Sequence, residues 1–102
     1  ADEITFDEKA AVKFLTPETG EILKDLSERI APGEFTSEGL HAVFDTIMED
    51  RGIKMGAIAQ PVRVALTGGT VSPGIFEVME ILGKDEVLKR LGRAVVYISE
   101  KQ

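Results

Sequence analysis

Apolar residues recur along most of this chain at steps of three and four, and that period predicts helices from one end to the other. The cleanest example is Leu40, Val43, Phe44, Ile47 and Met48, one face of a helix that Thr36 or Ser37 caps and Arg51-Gly52 ends. Upstream, Ile22, Leu23, Leu26 and Ile30 form the face of a helix that opens at Thr16-Pro17 and closes before Pro32-Gly33. There the threonine supplies a capping oxygen, and the proline has no N–H to lose at a first helical position. Gly20 weakens that helix's first turn. A shorter helix, from about Asp7 to Leu15, carries Val12, Phe14 and Leu15, with Asp7 and Glu8 opposing the macrodipole at its start.

Periodicity is less even in the second half. Ile53 to Ala59 is irregular, and Pro61 lacks a donor and crowds the preceding turn, so a helix is expected to restart or kink there and run to about Thr67. Gly68-Gly69 ends it. Ser72-Pro73 repeats the Thr16-Pro17 pattern and opens a helix through Ile75, Phe76, Val78, Met79, Ile81 and Leu82, apolar nearly all round and therefore expected to be central. Gly83 stops it. Val87, Leu88, Leu91, Ala94, Val95 and Ile98 mark a final helix; Val95 to Ile98 could also pair as a strand, but no second strand is predicted to receive it. The expectation is an all-α fold, a compact orthogonal bundle of about six helices in one domain spanning residues 1–102.

Composition narrows the function. With 43% hydrophobic residues, 102 residues suffice for one core. There is no cysteine, which excludes disulfides and thiolate-held metals. Short apolar runs and an acidic beginning, ADEITFDEK, match neither a membrane span nor a signal peptide, so a cytoplasmic monomer is expected. The missing initiator methionine and the missing catalytic constellation suggest a piece of something longer. A net charge of −6 argues against DNA or indiscriminate nucleic-acid binding, yet it is unevenly spread. Residues 1–50 carry 13 acidic and 4 basic side chains, whereas residues 51–102 carry 5 and 8. Any polyanion should meet the second half.

No catalytic residue emerges. His41 is the one histidine, beside Leu40 on the strongest amphipathic helix, without a cysteine or carboxylate cluster, and is read as structural or surface. The carboxylates are scattered at helical spacing. GGTVSPG has glycines but neither the lysine nor the preceding strand of a phosphate loop. No metal site is expected. What remains is a binding surface in which a helix beginning at Pro73 offers the amides of Gly74 and Ile75. Thr70 and Ser72 add hydroxyls, Arg63 a planar fork, and Pro73 or Ile75 an apolar shelf. Such a set suits unstacked RNA bases; the plain alternative is a capped helix and a solvated arginine. Lys84, Lys89, Arg90 and Arg93 form a basic stripe on the last helix, for phosphates or simply for solvent, with Arg51 and Lys54 further back.

The stretch from Ala57 to Leu91 resembles the C-terminal anticodon-binding segment of bacterial-type glutamyl-tRNA synthetases. The resemblance rests on Gln60-Pro61, Arg63, Ala65-Leu66-Thr67-Gly68, Ser72-Pro73-Gly74, Phe76-Glu77, Leu82-Gly83-Lys84 and Arg90-Leu91, and covers about a third of the chain closely. It implies a helical-cage subdomain of a class I ligase that charges tRNA with glutamate using ATP and magnesium in a catalytic part absent from this sequence. In the family the loop matching Ser72 to Ile75, with the arginine matching Arg63, contacts anticodon bases. The implied partner is the glutamate tRNA, joined by the glutamine tRNA if the parent enzyme is non-discriminating. Gly69 departs from the pattern, standing where many members carry arginine or another polar residue, and the tail from Val96 to Gln102 is assigned no function. The rival reading is a helical protein-interaction module using Ile75 to Leu82 as a groove wall.

Overall fold

The computed structural model describes residues 6–69 and 74–101. Six helices follow one another: α1 (Glu8–Phe14), α2 (Pro17–Ile30), α3 (Ser37–Arg51), α4 (Met55–Thr67), α5 (Ile75–Leu82) and α6 (Lys84–Glu100), with no strand among the described residues. The helix starts follow the capping chemistry of the sequence. Asp7 caps α1 by accepting from the Ala10 amide at 3.1 Å. Thr16 and Thr19 form a reciprocal box at the head of α2, each side chain accepting from the other's backbone amide. Thr36 accepts from the Gly39 amide at 3.0 Å to open α3.

The two longest faces meet first. α2 and α6 form the most extensive pairing, and Gly20 is what lets them close: a Cβ there would stand 3.3 Å from Cγ2 of Ile98. The glycine that weakens the first turn of α2 thus returns the cost as close packing. Leu23, Leu26, Leu40, Phe44, Ile47, Ile58, Val62, Leu66, Met79, Val87 and Leu91 are wholly enclosed between the helices. Rows from all six helices contribute to this one continuous core.

Two helices, α4 and α5, differ from expectation, and α6 runs as expected. α4 is one helix with Pro61 inside it, not two pieces. Pro61 is the seventh of the thirteen residues of α4 and has no amide to donate to the carbonyl of Ala57, an exposed residue. Pro61 itself is buried and adds to the core. α5 begins at Ile75 with Gly74 as its N-cap, while the expected Ser72-Pro73 start lies outside the described residues. Nor is α5 enclosed on all sides: Ile75, Val78 and Met79 face inward, but Ile81 is 80% exposed. Val95 to Ile98 continue α6 as helix, with Ile98 against Gly20 and Tyr97 against Phe6, their ring centroids 4.9 Å apart. The end of the chain is therefore part of the packing.

Candidate nucleic-acid interface

The candidate loop leaves α4 from a tightly bonded root. Gly68 takes a left-handed conformation (φ 90°), closing α4 with its amide on the Val64 carbonyl at 2.8 Å. A side chain would be strained there. The Thr67 hydroxyl donates back to the Arg63 carbonyl at 2.7 Å and accepts from the Gly69 amide at 3.4 Å. From the other side the Asp7 amide donates to the Gly68 carbonyl at 2.7 Å. The loop returns at Gly74, whose carbonyl accepts from the Val78 amide at 3.0 Å.

Arg63 lies one turn before Thr67, on the same side of α4 as the loop root. It is half-buried, and Nη1 donates to Oε1 of Gln60 at 3.4 Å, which orients the fork. Gly74 is exposed and has no side-chain cap. Ile75 differs from the expectation of an apolar shelf. Its side chain is 5% exposed and packs into the core, so Ile75 offers a ligand only its backbone. Thr70, Ser72 and Pro73 lie outside the described residues.

The four cations of α6 do not form one stripe. Val87, Leu91, Ala94 and Ile98 define the buried side, and Lys89 alone of the four is exposed, on the opposite side. Lys84 turns to the α2–α3 connection, where Nζ donates to the Gly33 carbonyl at 3.0 Å. Arg90 donates through Nε to Glu86 at 2.7 Å and through Nη1 to the Leu66 carbonyl at 2.6 Å. Arg93 lies over the Phe6 ring, 5.0 Å from its centroid. The hydrogen bond from Arg90 holds the Glu86 carboxyl below its ordinary range; partial desolvation opposes this, and the charges of Arg90 and Lys89 add to it. Arg90 is thus a tether between α6 and the C-terminal turn of α4.

One contact beside the loop carried no signal in the sequence. Phe76, the second residue of α5, stacks on His41 of α3 with ring centroids 3.7 Å apart and planes 21° apart, and tilts against Phe44 at 4.9 Å. Helical periodicity places His41 and Phe44 on α3 but cannot say which residue of a later helix will meet them. Among the described residues no cluster of three or more acidic or histidine side chains could hold a metal, and no helix is long and apolar enough to cross a membrane.

The described residues thus form an all-helical unit in which α4 and α5 flank the candidate loop, with Arg63 near its base. The chain belongs to the anticodon binding domain family, whose profile matches residues 1–95. It is similar to the glutamate–tRNA ligase of Geobacter sulfurreducens, 50% identical over 99 residues, covering 96% of this chain and 21% of that protein. The glutamate–tRNA ligase of Syntrophobacter fumaroxidans is also 50% identical, over 101 residues, covering 98% of this chain and 22% of its own. Among solved structures, a glutamate–tRNA ligase from Elizabethkingia meningosepticum superimposes with a TM-score of 0.86 at 32% identity, over 92% of this chain and 19% of that one. The chain spans about a fifth of the length of the curated relatives it matches.

Proposed function

We propose that this chain is the anticodon-reading unit of a glutamate–tRNA ligase and that it engages the anticodon loop of the glutamate tRNA, with the glutamine tRNA as a second partner if the parent enzyme is non-discriminating. The observation that carries this reading is half identity to such ligases across nearly the whole chain. Arg63 beside the rooted loop gives it a physical form. The guanidinium, oriented by Gln60, presents donors to a base edge, and the backbone at Gly74 and Ile75 adds a helix terminus without a side-chain cap. Thr70, Ser72 and Pro73 complete the contact set. Lys89 contributes to a phosphate rather than to a base, positioning the stem without reading it.

On this reading, activation of glutamate with ATP and magnesium takes place elsewhere in the parent ligase, in the cytoplasm. Alone it binds RNA weakly, because the acidic first half repels phosphate and the cationic contacts are few. Nitrogen–proton correlation spectra recorded during titration with an anticodon stem-loop test the reading. Shifts should cluster on Arg63 and on residues 70–76, and Arg63→Ala should weaken binding. Absence of shifts at millimolar RNA would instead favour a protein-interaction module, for which exposed Ile81 would be the first contact to examine.

A further inference from the structure

Close to the loop assigned to RNA lies a ring contact that the sequence pattern does not predict. Phe44, Phe76 and His41 form a row of rings running from the centre of the fold to its surface: Phe44 wholly buried, Phe76 half-buried, His41 exposed. Phe76 covers one face of the imidazole at stacking distance, and His41 as a whole stays exposed to solvent. The ring is also held in its plane from its own helix. Nδ1 lies 2.8 Å from the Ser37 carbonyl, an acceptor only, so Nδ1 carries the hydrogen and Nε2 of the neutral ring is an acceptor.

An exposed histidine packed and hydrogen-bonded in this way has already lost its rotamer freedom. A flat partner stacking on its other face gains contact without having to order it. The surrounding charge selects the kind of partner. Glu38, three residues before His41 on α3, and Glu77, next to Phe76, are both exposed and repel phosphate, whereas the face of a nucleobase is uncharged. The location selects the source, because Phe76 follows directly on Gly74-Ile75, where the candidate loop re-enters the fold.

We infer that the face of His41 opposite Phe76 is a stacking platform for one unstacked base of the bound RNA, extending the row Phe44–Phe76–His41 by one ring. This inference rests on the anticodon-reading assignment above and adds to it a contact from α3. Stacking of this kind is sequence-tolerant, so His41 contributes affinity and base orientation while Arg63 contributes discrimination.

The test uses anticodon stem-loops carrying 2-aminopurine at each loop position in turn, titrated with the chain and with His41→Ala, His41→Phe and Arg63→Ala. One labelled position should be quenched by the parent chain and by His41→Phe but not by His41→Ala. The dissociation constant should rise about five- to tenfold for His41→Ala, the lower part of the range for one base on one aromatic ring, and stay within about twofold for His41→Phe. His41 is exposed, so unchanged spectra in the core of His41→Ala show that the fold is kept. If His41→Ala binds as the parent does with the same quenching profile while Arg63→Ala weakens binding, the platform is overturned and the anticodon reading stands. If the parent chain shows no binding and no quenching at any position, the anticodon reading fails and the platform falls with it.

Discussion

Arg90 can be separated from the RNA by a stability measurement. Its Nη1 donates to the Leu66 carbonyl at 2.6 Å, and that carbonyl sits in the last turn of α4, where no later amide of the helix can reach it. Leu66 is fully buried, so water cannot readily take over. Arg90→Met keeps most of the apolar stem and removes the donors. The loss of a charged donor from a carbonyl of this kind costs about 1.5–3 kcal/mol, and with the Arg90 side chain 20% exposed the middle of that range, about 2 kcal/mol, is expected. For a domain of this size that corresponds to a fall in Tm of roughly 8–16 °C. Urea unfolding followed by circular dichroism, extrapolated linearly to water, measures it. Arg90→Lys, which keeps one donor, should lose less. If Arg90→Met costs under about 0.5 kcal/mol and instead weakens stem-loop binding with a shallower salt dependence, the tether argument is wrong and Arg90 is a phosphate ligand.

Four further outcomes follow from the same structure. The Glu86 carboxyl is depressed chiefly by its hydrogen bond from Arg90, so its contribution is fully present above the unfolded value of about 4.3 and disappears as pH falls through the lower folded value; urea midpoints should therefore drop between pH 5 and pH 3 more in the parent than in Arg90→Met. Thr16→Ala breaks the reciprocal cap of α2 and should cost about 1 kcal/mol in the same unfolding assay, whereas Thr16→Ser should be near neutral. Gly92→Ala, on an open side of α6, should stabilise by about 0.8 kcal/mol through helix propensity alone. Gly39→Ala should destabilise despite the same propensity gain, because its Cβ would come within 2.7 Å of the Glu34 carbonyl oxygen; equal stability of the two alanine variants would contradict the packing argument.

The readable part of this chain was the part governed by neighbours within a few residues. Thr16, Thr36 and Asp7 announce helix starts because a cap is a local bond, and the Leu40-to-Met48 row announces a buried face because three-residue and four-residue steps are local geometry. Arg63 at the loop root was legible for the same reason, being one turn from Thr67. Tertiary partners were not. The four cations of α6 look alike in sequence, yet Lys84 meets Gly33, Arg90 meets Leu66 and Arg93 covers Phe6, each a partner from far along the chain. Ile75 was read as a shelf because apolar residues beside a loop can face either way, and here the α5 face that packs on α4 and α6 takes it inward. Pro61 was given its intrinsic cost, while the enclosure of its ring among its neighbours decides where it stands.

The bond from the Asp7 amide to the Gly68 carbonyl joins two places sixty-one residues apart in the chain. One is the threshold of α1; the other is the pivot from which the candidate loop departs. Because Asp7 also caps α1, a single residue ties the start of the first helix to the C-cap of α4. The start of the first helix is thereby moored to the end of the fourth, and a change at Asp7 reaches both places at once.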